Sequence, residues 1–168
     1  MKPLAMNRDS TSQRTTVILT LVVGLMLTLM PLPDSVDSFR PDWLALLAIF
    51  WAMKLPRSWS IGSAWIIGLV LDASQGTLLG QHALAFCVIV FMTVRFHLLM
   101  RVFPLSQLSA TVFALLAVYQ FLLFWIHGIL GINAAPIVYW APVITGALIW
   151  PVMFMFLSGV HYRDRSGG

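Results

Sequence analysis

The sequence predicts an all-α integral membrane protein, a compact bundle of six transmembrane helices. Three observations carry this. Of 168 residues, 60% are hydrophobic and 10% charged, with a mean hydropathy of +0.89; a soluble domain of this size needs far more polar surface. Long apolar runs recur along the whole chain, and they do not alternate with the period of two that marks the ~10-residue strands of a membrane barrel. When the runs are numbered alternately, Lys and Arg segregate to one side, as they do across a membrane.

The first expected span is Thr15 to Leu32, preceded by Lys2, Arg8 and Arg14. It ends in "MPLPD" without a small-residue cleavage pattern, which argues for a retained helix rather than a signal peptide. The second, Pro41 to Lys54, is short and opens on "RPDW". Pro41 is tolerated in a first helical turn, and Asp42 suits the positive end of the helix dipole. The third runs from Trp59 to Gln75, the fourth from Gln81 to Met100, the fifth from Ser106 to Leu130 and the sixth from Ile137 to Val160. "PLPD", "KLPRS", "SQGTLLGQ", "RVFPLSQ" and "GINAAP" carry the Pro, Gly and polar residues of connections. Such short connections make consecutive helices antiparallel neighbours. The tail "HYRDRSGG" is expected to be disordered. The organisation is therefore a cytoplasmic segment 1–14, a six-helix membrane domain 15–160 and a cytoplasmic tail 161–168.

Orientation follows from nine of the ten basic residues: Lys2, Arg8, Arg14, Lys54, Arg57, Arg95, Arg101, Arg163 and Arg165 fall on the side of the amino terminus. Only Arg40 falls on the other side, beside Asp34, Asp37 and Asp42. Both termini are thus expected in the cytoplasm. Arg95 and His97 lie near the cytoplasmic end of the fourth run, where long side chains snorkel. Trp43, Trp59, Trp140 and Trp150 lie toward span ends, as aromatic-belt residues do.

Catalytic chemistry is not visible. The four His are scattered, the single Cys87 can form no internal disulfide, and no metal-ligand spacing, phosphate-binding glycine loop or cofactor motif occurs. The net charge of +4 resides in short loops, so nucleic acid is not an implied partner. A lone His in a membrane helix most often makes an interhelical hydrogen bond. The composition points to a scaffold or a binding component rather than an enzyme.

One residue is anomalous. Asp72 lies inside the third apolar run, where a bare carboxylate costs about 3 kcal/mol or more. Ala64, Gly68, Asp72 and Gly76 recur every four residues, a stripe of small residues that lets another backbone approach. Asp72 is therefore expected on a packed face, neutralised by Arg40 at the start of the second helix or by helix-end amides. Arg40 has an alternative, a solvated pairing with Asp37 or Asp42.

The stretch "FRPDWLALLAIFWAMKLPRSWSIGSAWIIGLVLDASQGTLLGQHAL", with "MPLPD" before it and the closing "GALIWPVMF", resembles the rod shape-determining protein MreD family. The shared pattern is Arg40, Pro41 and Asp42 opening the second helix, then Gly68 and Asp72 leading to Gly76 and Gly80. Gln120 and His127 depart from it, since relatives can carry acids in the fifth helix. The resemblance implies a non-enzymatic component of the bacterial inner membrane, without cofactor. It would bind MreC and act beside MreB, RodA and its transpeptidase partner in lateral peptidoglycan synthesis. It also implies a fold like the substrate-binding component of energy-coupling-factor transporters. The competing expectation is a small-molecule-binding subunit of a vitamin transporter, with Arg40, Asp72, Gln81, His82 and Asn133 facing an outer pocket.

Overall fold

A computed structural model describes residues 6–33, 37, 39–56, 59–131 and 139–166, with side chains described within that set from residue 13 to residue 159. Six helices and no strand form among the described residues: α1 Met6–Leu29, α2 Trp43–Lys54, α3 Ile61–Gln75, α4 Gln81–Val102, α5 Leu105–Ile129 and α6 Ala141–Ser166. One helix occupies each expected apolar run. The stretch "INAAPIV", which holds Asn133 and the expected start of the sixth span, lies outside the described residues, as do Lys2, Asp34 and Arg57.

Helix ends differ from the sequence expectation in instructive places. The tail expected to be disordered is helical as far as Ser166, continuing α6. Most of the segment before Thr15 is likewise helical, from Met6. The second helix starts at Trp43, so Pro41 lies outside its first turn and Asp42 is the residue flanking it. Asp42 makes no side-chain cap there, although its carbonyl accepts the first helical bond from the Leu46 N–H at 3.0 Å. Pro151 lies inside α6, which removes one backbone donor from that helix.

The arrangement is five helices around one. α2 packs against α1, α4, α5 and α6, while α1, α3, α4, α5 and α6 follow one another around it. Every residue from Leu44 to Met53 is buried. The sequence "WLALLAIFWAMK" allows this because it has no polar face; a helix apolar all round belongs in the interior. Gly24 of α1 admits the Leu47 side chain and Gly146 of α6 admits Leu116, so small residues on the ring helices take the large residues of their neighbours. Trp51 Nε1 donates to Thr20 Oγ1 across α1 and α2 at 3.0 Å.

Three helices, Gln81–Val102, Leu105–Ile129 and Ala141–Gly159, are long and apolar enough to cross a membrane. The 12 residues of α2 and the 15 of α3 reach only about 18 and 22 Å at 1.5 Å per residue, against a hydrocarbon core of about 30 Å. Trp59 and Trp150, expected in aromatic belts, are buried in the core instead.

Candidate functional site

The α3–α4 hairpin is the most extensive helix pair of the bundle, and Gly68 explains why. A Cβ at this position would stand 2.9 Å from the Ala83 Cβ and closer still to the Ala83 backbone. Backbone cannot yield as a side-chain tip can, so α4 lies against α3 at a distance only glycine permits. Ala64 and Gly68 face this contact and are buried, whereas Gly76 is exposed. The stripe of small residues is therefore a packing face for two of its turns and then ends.

Gly76 ends α3 with φ of 65° and Gly80 precedes α4 with φ of 103°. A Cβ added at either would meet nothing within 4 Å, so the backbone angle, not space, selects glycine at both. Together they fold "GTLLG" back over the end of α3. The turn brings four donors to one carboxylate. The Gly80 N–H donates to Asp72 Oδ2 at 2.8 Å. The His82 N–H, the His82 ring Nδ1 and the Thr77 hydroxyl meet Oδ1 at 3.2, 2.6 and 3.0 Å. Asp72 is 0% exposed.

His82 is the second residue of α4, and its N–H is one of the orphan donors at a helix start. Asp72 thus serves α4 as a capping carboxylate delivered from the preceding helix, with its charge at the favourable end of the α4 dipole. This buried acid is stabilised by amides that would themselves be unsatisfied without it. Asp72 O meanwhile accepts from the Gly76 and Thr77 N–H groups that close α3.

Arg40 is not part of this arrangement. Its Nη1 donates to the Met30 carbonyl at 2.9 Å and meets Asp37 Oδ1 at 3.4 Å. The expected Arg40–Asp72 pair does not form; of the alternatives weighed from the sequence, helix-end amides serve Asp72 and Asp37 serves Arg40. The physical reason is distance along the chain: the turn places its amides eight to ten residues from Asp72, without any need for another part of the bundle. Arg40, Pro41 and Asp42 instead shape the entry to α2.

Sequence reasoning missed Thr77 and, as a partner of Asp72, His82. Their only sequence signal is position, polar residues in and beside a Gly-bounded turn after an intramembrane acid. Beside them, Tyr119 of α5 stacks on Phe86 at 5.4 Å, its ring 6.3 Å from that of His82, and its buried hydroxyl has no hydrogen-bond partner among the described residues. Gln120 Nε2 donates to the Tyr139 carbonyl at 2.9 Å, and His127 Nδ1 lies 3.2 Å from the Tyr139 hydroxyl. These contacts join α5 to the residues leading into α6. Cys87 is half-buried, with its Sγ 3.6 Å from the Ile61 carbonyl. Among the described residues no three His, Cys, Asp or Glu side chains converge as a metal site would require.

No solved structure matches the chain. A rod shape-determining protein MreD of Haemophilus influenzae is 26% identical over 153 residues, covering 89% of this chain and 93% of its own length. The family model for rod shape-determining protein MreD matches residues 9–160, a range that contains α2 to α5 whole and most of α1 and α6, and the chain therefore belongs to the MreD family.

Proposed function

We propose that this protein is a non-enzymatic scaffold of the bacterial inner membrane, that it supports rod shape, and that it binds MreC. The observation that carries this is the family match across residues 9–160. The site geometry supports it, because the Asp72 carboxylate is saturated by four donors and enclosed; it is a fastener rather than an acid or base open to a substrate. The partners MreB, RodA and its transpeptidase would be reached directly or through MreC. The transporter-subunit reading loses ground to the family match, and nothing in the hairpin favours it.

In the proposed topology all six helices cross the membrane, in a fold like the substrate-binding component of energy-coupling-factor transporters. The membrane domain is 15–160, and the segments 1–14 and 161–168 lie in the cytoplasm. The short α2 crosses because protein surrounds it on all sides, so its polar ends meet protein groups rather than lipid. Nine basic residues then share the cytoplasmic face.

Affinity-tagged full-length chain, extracted in mild detergent, is expected to retain MreC, and its depletion is expected to turn rods into rounded cells. The complex should survive high salt, because helix packing within lipid is not screened as exposed charges are. Retention of rod shape after depletion refutes the functional reading. Loss of MreC at moderate salt refutes the intramembrane contact alone. Reporter fusions after Gly168 active only in a periplasmic format would overturn the topology.

A further inference from the structure

At the end of the bundle opposite the Asp72 turn, the carboxyl ends of α2 and α4 stand side by side. Arg101 of α4 donates from Nη2 to the Lys54 carbonyl of α2 at 3.2 Å. Between them opens a cleft of about 550 Å³. Its basic lining is Lys54, His97 and Arg101, and no lining residue is acidic. The apolar lining is Leu55 and Pro56 on one wall and Val94 and Leu98 on the other.

The α4 wall runs from Val94 through His97 and Leu98 to Arg101. Val94, His97, Leu98 and Arg101 are spaced by three and four, so they share one face of the helix. Arg101 is in its last turn, and Val94 is about 10 Å deeper at 1.5 Å per residue. The cleft therefore carries the Arg101 guanidinium at its rim and an apolar residue, Val94, at its inner end, with His97 and Leu98 side by side between them. His97 donates from Nδ1 to the Val94 carbonyl at 2.6 Å. Arg101 uses Nη2 on Lys54 and is otherwise exposed. The Lys54 ammonium stands 4.9 Å over the Phe154 ring, which holds it at the rim.

We infer that this cleft is a binding site for an anionic phospholipid, with the headgroup phosphate at Arg101 and an acyl chain along Leu98 and Val94. Charge complementarity selects the phosphate, since clustered basic residues at a membrane surface attract anionic headgroups. The apolar inner wall selects a lipid over a free phosphate ester, because a small soluble anion leaves that wall unfilled. The site would tie the cytoplasmic end of the bundle to the leaflet's anionic lipid. That placement rests on the proposed topology, but the lipid preference does not and is tested in symmetric bilayers.

The test uses the full-length chain in nanodiscs and in detergent, with lipid adducts read by native mass spectrometry. Phosphatidylglycerol should be retained in preference to phosphatidylcholine. R101Q should weaken that retention about fivefold, R101K should keep much of it, and R95Q, an equal charge loss at an exposed residue outside the cleft, should leave it unchanged. Equal retention of both lipids, or equal loss in R95Q, overturns the inference. Displacement of phosphatidylglycerol by glycerol 3-phosphate would mean a soluble anion site and also overturns it. Should R101Q fail to fold, wild-type protein with photoactivatable phosphatidylglycerol decides: the label should fall on residues 54–56 or 94–101, and labelling elsewhere refutes the site.

Discussion

Two polar regions, the α3–α4 turn and the approach to α2, meet the same difficulty and resolve it differently. In the turn, a fully buried carboxylate is matched by four donors within 3.2 Å. In the approach, among the described residues Arg40 has one carbonyl and one carboxylate that is itself 58% exposed, and its Nη2 is buried without a partner. A charge in a membrane bundle is thus best satisfied by backbone it can reach locally. Amides at a helix start are fixed in place by the helix and lose little entropy when they bind; a long Arg side chain must be ordered first.

The turn is most vulnerable where its two helices come closest. Gly68→Leu should have the largest effect, above about 5 kcal/mol, because the added side chain collides with the Ala83 backbone and parts the hairpin. The yield of monodisperse protein in detergent measures it. A well-folded Gly68→Leu variant would show that the close approach is dispensable.

Asp72→Ala comes next, at about 3–5 kcal/mol, since it strands several buried donors at once. Asp72→Asn should be milder, keeping an acceptor for the amides while placing a donor where another donor stands. Thermal unfolding of purified protein orders the two; the reverse order would mean that charge at the α4 start is harmful rather than stabilising.

His82→Ala should cost about 1–3 kcal/mol. It removes the ring contact and spares the backbone one, so it isolates the interhelical side-chain contribution. An effect as large as that of Asp72→Ala would make the ring, not the amides, the main partner.

Arg40→Ala should be the smallest, about 1 kcal/mol or less, in keeping with a partly exposed ion pair. Combined with Asp72→Ala it should be additive within about 0.5 kcal/mol, since the two residues share no partner. Clear non-additivity would restore the pairing that the sequence suggested.

The class and the six helices were legible without coordinates. They follow from composition and from runs such as "WLALLAIFWAMK", where nearly every residue states the same preference and little tertiary context is needed to read it. Asp72 and Gly68 also stood out as residues of a packed face, because a lone acid and a four-residue spacing of small side chains are anomalies within the chain itself. The family was legible in the Arg40–Asp42 and Gly68–Gly80 patterns. The partner of Asp72, the roles of Thr77 and His82 and the placement of Trp150 in the core came only with the packed bundle. So did the cleft that joins Lys54 and Arg101 across 47 residues of chain. Helix periodicity records which face is apolar but not which neighbour that face meets, and hydrogen-bond partners depend on the direction in which a turn returns the chain. That direction is set by two glycine φ angles, which a sequence permits but does not specify.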